Sequence, residues 1–151
     1  MGRPRGFDEQ EAVGAAVALF GRQSFAGTSV DDLVNHLGVH RGSLYKAFGS
    51  KRGLYLVALR RHVDRDVTAA AEVFATTPGV DAAVGRIITA GPDLGLLLLA
   101  LLERAPVDAE AAAETARALA VLDRACPDLD RALGLLLRTR ARASAPEQKG
   151  E

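Results

Sequence analysis

The stretch FAGTSVDDLVNHLGVHRGSLYKAFGSK, residues 25–51, decides the fold. It holds two short helical patterns on either side of a glycine turn. Ser29 or Thr28 can cap the first, and Asp32 or Asp31, three residues on, completes a capping-box pattern. Either aspartate also sits favourably near the positive end of the helix dipole. This helix is expected over Val30 to Leu37, with Gly38 placed as a helix-terminating glycine. A second short helix is expected from Arg41 to about Ala47. Phe48-Gly49-Ser50 then breaks the chain, and Ser50 can cap the next helix. Two short helices joined by a tight turn containing glycine are the core of a helix-turn-helix.

Upstream, Asp8 can cap a helix to about Arg22, with Val13, Ala16, Val17 and Phe20 on one apolar face. That helix buttresses the pair and makes a three-helix head. Downstream, the pattern predicts a long helix from Lys51 to about Ala75 and another over Val80 to Ala90. Asp93 is expected to cap a helix from Leu94 to about Arg104, which is apolar on every side and is expected to be buried. Helices from Asp108 to Ala125 and from Leu129 to Arg142 complete the pattern. No run alternates with period two. The chain therefore reads as all-α: an arm and head over residues 1–50, a small helical body over 51–143, and a disordered polar tail over 144–151.

Composition narrows the function classes. With one Cys and one Met in 151 residues, neither a disulfide framework nor a Cys-based zinc site fits. The opening MGRPRGFDEQ lacks the apolar stretch of a signal peptide. The run from Leu94 to Leu102 is about half the length that spans a bilayer. These features predict a soluble, cytoplasmic protein with no membrane partner. No nucleophile–base pair, metal-spaced cluster or phosphate loop is evident, so no enzyme, metal or cofactor is expected. The formal net charge is zero, but it is divided: residues 1–65 carry ten basic and six acidic side chains, residues 66–151 nine and 13. A basic head on an acidic body points to a polyanion partner for the head.

The second short helix carries His40, Arg41, Ser43, Tyr45 and Lys46. That set of donors suits a helix in the DNA major groove, where Arg and Lys read guanine acceptors and hydroxyls reach phosphates. Gly42 would let the backbone approach closely. Each residue also has a plainer reading. Tyr45 alone is a half-buried aromatic, and Lys46, Lys51 and Arg52 an ordinary charged face.

Taken together, Phe25-Ala26-Gly27-Thr28-Ser29-Val30, Leu37-Gly38-Val39, Arg41-Gly42-Ser43-Leu44-Tyr45, Phe48 and Ser50-Lys51 resemble the DNA-binding head of the TetR family of transcriptional regulators. The resemblance covers roughly residues 7–60. It implies a homodimer that binds a palindromic double-stranded DNA operator, represses, and lets go when a small molecule enters the body. By position it implies that Arg41, Gly42 and Ser43 meet bases or phosphates. It implies that Tyr45 gives its hydroxyl to a phosphate, and that Lys51 and Ser29 set side chains and helix ends against the backbone. Leu33, Val39, Leu44 and Phe48 would be core. Arg3 and Arg5 lie on an arm that could enter the minor groove. Two positions depart from the family pattern. His40 stands where Ser usually caps the recognition helix and is instead a candidate base or phosphate contact. Lys46 stands where an aromatic or His is common. Both positions bear on which operator sequence is read.

The body resembles the family loosely and is shorter than usual. A hydrophobic effector would lie among Val73, Phe74, Ile87, Ile88, Leu98, Leu101 and Leu102, with His62, Thr89 and Glu103 as polar groups; the alternative is a fully packed core. The resemblance places the dimer on the last two helices. Leu119 and Leu122 on one, and Leu129, Leu133, Leu136 and Leu137 on the other, are suited to it unless they close the chain's own core. The reading is a dimeric, ligand-released repressor. The alternatives are a regulator without an effector pocket and a helical dimer whose degenerate head serves protein contacts.

Overall fold

A computed structural model of the chain describes residues 8–144. The expected arm residues Arg3 and Arg5, and all of the expected tail but Ser144, lie outside the described residues. Within them every regular element is helical: α1 (Glu9–Gln23), α2 (Val30–Leu37), α3 (Arg41–Phe48), α4 (Lys51–His62), α5 (Thr68–Thr76), α6 (Val80–Ala90), α7 (Gly95–Leu99), α8 (Ala109–Ala125) and α9 (Leu129–Ala143). Two π-helical turns complete the set. Val63–Val67 joins α4 to α5 in one rod, and Ala100–Arg104 extends α7. The described residues thus form eight helical rods.

Local chemistry sets the boundaries. The Asp8 carboxylate accepts from the backbone of Gln10 and Glu11 and starts α1. Ser29 and Asp32 close a full capping box at α2. Gly38, with φ 65°, ends α2 in the left-handed region where a side chain would be strained. Ser50 caps α4 through the Gly53 amide. His40 stands at the N-cap of α3 and makes no side-chain cap bond. Asp93 does not cap as expected: the helix begins one residue later, behind Leu94, although Asp93 still accepts from the Gly95 amide at 2.7 Å.

Two apolar cores form. One joins α1, α2 and α3 to the first turns of α4 around Phe20, Leu33, Leu44, Leu54, Tyr55 and Leu59, and takes in Leu96, Ala100 and Ala111 from later helices. Val39 and Phe48 pack on it half-buried. The α4 side chains beyond residue 50 complete the core of the head. The second core holds the body around Val67, Phe74, Val84, Leu97, Leu98, Leu122 and Leu136.

The expectation that the Leu-rich helix is buried all round fails at its end. Leu96, Leu97 and Leu98 are buried, but Leu102 is 66% exposed. A π turn inserts an extra residue and shifts the register of the residues after it; here Ala105 donates to the Ala100 carbonyl across it. Leu102 therefore faces outward, while Glu103 and Arg104 reach the head. α6 and α7 meet at 109°, and among the described residues no single helix is long and apolar enough to cross a membrane.

Candidate nucleic-acid interface

α3 buries one side chain, Leu44, in the head core and leaves its polar side chains facing out. Arg41, Gly42, Lys46 and Tyr45 are exposed, with Ser43 intermediate beside them and His40 exposed just before. Tyr45 is 40% exposed, so its ring is not a core aromatic. No acid lies in the first turn of α3. The uncapped N–H groups, the dipole and Arg41 together make that end of the helix attractive to an anion.

Two expected contacts are already engaged within the head. Arg41 is paired with Asp31 in the first turn of α2, at 2.5 Å. The Ser29 hydroxyl donates to Asp32 at 2.7 Å while accepting the Asp32 amide, so its hydrogen serves the capping box. Those bonds hold the Asp32 carboxyl below its ordinary pKa.

Lys51 is half-buried, with its ammonium 4.2 Å from the centre of the Phe25 ring. Burial lowers its pKa, opposed in part by Glu103. Arg104 approaches the same ring at 4.3 Å. Phe25 also packs edge-on against Tyr55 at 5.1 Å. The turn that carries Phe25 is gripped by Glu103, which accepts from the amides of Phe25 at 2.9 Å and Ala26 at 2.7 Å. Arg104 continues to Asp108 at 2.7 Å, and Asp108 takes a two-pronged contact from Arg52 at 2.8 and 2.9 Å. Arg52 and then Arg104 hold the Asp108 carboxyl well below the carboxylate range.

The sequence pattern does not reveal this network. It places Glu103 in an effector pocket and Arg52 on an ordinary charged face, yet both hold head to body. Their partners lie more than fifty positions away in the chain and leave no local pattern. The acid-plus-arginine pair at 103–104 beside an apolar run is the one signal that could have found it.

The effector candidates are spread over separate places in the structure. Phe74 and Leu98 interlock in the body core and Leu101 packs against it. Leu102 is exposed, and Ile88 is 46% exposed. Ile88 and Leu98 share a shallow groove with Leu136 and Arg140. His62 lies in a separate cleft against α1. Of the dimer candidates, Leu122, Leu129 and Leu136 are buried in the chain's own core, while Leu119, Leu133 and Leu137 are half-buried at its edge.

Residues 13–58 match the model described as bacterial regulatory proteins, tetR family. The chain is 35% identical over 91 residues to the HTH-type transcriptional regulator YezE of Bacillus subtilis (strain 168), covering 60% of this chain and 47% of that protein. It is 39% identical over 72 residues to the HTH-type transcriptional repressor BdcR of Escherichia coli (strain K12), covering 48% of this chain and 36% of BdcR. The chain thus spans less than half the length of these curated relatives. The crystal structure of the TetR family transcriptional regulator PfmR from Thermus thermophilus is similar over 92% of this chain and 75% of that one, with a TM-score of 0.47 and 21% identity.

Proposed function

We propose that this chain, whose residues 13–58 match the tetR family model, is a transcriptional repressor of that family that binds a palindromic operator as a homodimer. The observation that carries the reading is the outer face of α3. Arg41, Gly42, Ser43, Tyr45 and Lys46 stand clear of the core on a helix whose first turn holds no acid. Arg41 and Lys46 supply base or phosphate contacts, Tyr45 a phosphate contact, and Gly42 room for the backbone. Two copies join through α8 and α9, where Leu119, Leu133 and Leu137 keep part of their surface open. Binding needs the paired recognition helices about 34–36 Å apart. A ligand that tilts α4 changes that spacing and releases DNA. The scatter of the effector candidates, with Ile88 and Leu102 exposed and His62 in a separate cleft, favours a second reading, a regulator that no ligand in the body controls.

Selection of duplexes from a random pool tests the reading. A palindromic consensus is expected. Affinity for it should fall with salt on a log–log slope of about −0.9 per phosphate neutralised. If the full chain enriches no sequence, the operator reading is wrong and the head serves protein contacts instead.

A further inference from the structure

A cleft of about 260 Å³ opens between α1 and the junction of α4 with the π turn Val63–Val67, with Leu96 as its apolar floor. π turns inside helices occur frequently at functional sites. The walls carry two bases, Arg61 and Arg65, and two acids, Asp66 and Asp93. They also carry His62, which is 1% exposed. Its Nδ1 contacts the Asp66 carboxylate at 2.8 Å. A carboxylate accepts, so the hydrogen of this contact is on Nδ1, and in that Nδ1–H tautomer Nε2 is an acceptor. That Nε2 is buried and has no hydrogen-bond partner. A buried polar atom left unsatisfied calls for an explanation, such as a ligand it receives.

The two bases differ. Arg61 is tied to Gln10, with one guanidinium nitrogen on its backbone oxygen at 2.5 Å. Arg65 is exposed and has no ion-pair or hydrogen-bond partner among the described residues. Across the cleft, the Arg61 guanidinium packs over Gly14 on the α1 wall.

We propose that this cleft binds a small zwitterion of the α-amino acid class. Arg65 takes the carboxylate, His62 Nε2 and Asp93 accept from the ammonium, and Leu96 packs the side chain. The pairing follows from charge balance. The two bases and two acids of the lining cancel, so a simple anion or cation meets as much repulsion as attraction, whereas a zwitterion matches both. The site lies at the joint between head and body, outside the body interior. It goes beyond the operator reading and is tested without DNA.

The test is NMR titration of the full chain with each standard α-amino acid in turn, at millimolar concentration. The best binder should shift the amides of Gly14, Ala18 and His62. Its deaminated acid and its decarboxylated amine should each bind about tenfold more weakly, since each loses a charged contact. Arg65→Gln, at an exposed position, should weaken binding by about the same factor. Ala18→Leu, also exposed, should block the cleft without disturbing the core. The proposal is overturned if no amino acid moves those amides, or if binding survives both substitutions unchanged.

Discussion

The Glu103 carboxylate accepts the backbone N–H of Phe25 at 2.9 Å, across 78 positions of sequence. The same group takes the Ala26 amide at 2.7 Å and the Ser24 hydroxyl at 3.4 Å. Ser24 has φ 67°, a left-handed conformation that costs a residue with a Cβ. The α1–α2 turn is therefore held in a strained shape by an acid from the body. Glu103→Ala removes that grip. It should lower stability by about 2 kcal/mol, the scale of a hydrogen bond to a charged group. Hydrogen exchange at the Phe25 and Ala26 amides should quicken more than at the Leu33 amide of the head core. Equal exchange in variant and wild type would remove Glu103 from this role.

Asp108 extends the grip to α4 and gives it a pH dependence. Its side chain is 2% exposed and is held by Arg52 and Arg104. These partners lower its folded pKa below the unfolded value, so the charged form stabilises the fold. That contribution is present above the ordinary carboxylate pKa of about 4 and drains away as the pH falls further, towards the folded value. Asp108→Asn should therefore reduce Tm by several degrees at neutral pH. The gap from wild type should narrow on acidification below about pH 4. A gap that stays constant with pH would show that the pairing carries none of it.

What the sequence made legible was local. Ser29 with Asp32, Gly38 and Ser50 act within one helical turn of themselves, so their spacing alone predicts the boundaries that the structure has. Leu33 and Leu44 follow from helical periodicity in the same way. Glu103, Asp108 and Arg52 act between elements, and apart from the acid–arginine pair at 103–104 beside an apolar run their neighbourhoods do not distinguish them from solvated charges. Leu102 escapes a periodicity argument because periodicity assumes an unbroken α-helix, and the π turn Ala100–Arg104 breaks the count. Arg41 is legible as an outward-facing base, but its pairing with Asp31 depends on how α2 and α3 cross.

That pairing predicts a gain. Asp31 places a carboxylate beside the guanidinium expected to meet DNA, both more than half exposed. Exposed pairs contribute about 0–1 kcal/mol to stability, so Asp31→Asn should leave Tm nearly unchanged. It should raise affinity for all duplexes several-fold and steepen the salt slope, because Arg41 becomes free to neutralise a phosphate. Arg41→Ala should instead weaken binding and relax base choice, and Tyr45→Phe should weaken all sequences alike. Fluorescence anisotropy across a salt series separates these outcomes. An Asp31→Asn protein with unaltered affinity and slope would mean that Arg41 does not approach DNA.

His40 offers the converse case, a position where the fold gives up stability. It holds the N-cap of α3 with extended backbone, φ −75° and ψ 145°, yet makes no cap bond. A Ser in the same backbone conformation can turn its hydroxyl to the Gly42 or Ser43 amide, and good N-caps contribute about 1 kcal/mol. His40→Ser should therefore raise Tm by a few degrees, read by thermal denaturation. If His40 meets a base or phosphate, the same change should weaken operator binding while the fold grows more stable. If it makes no such contact, affinity should hold or rise, since a capped α3 is better ordered before it docks. Opposite movements of Tm and affinity would assign His40 to recognition, and a fall in Tm would mean that the imidazole packs in a way that its missing cap bond does not reveal.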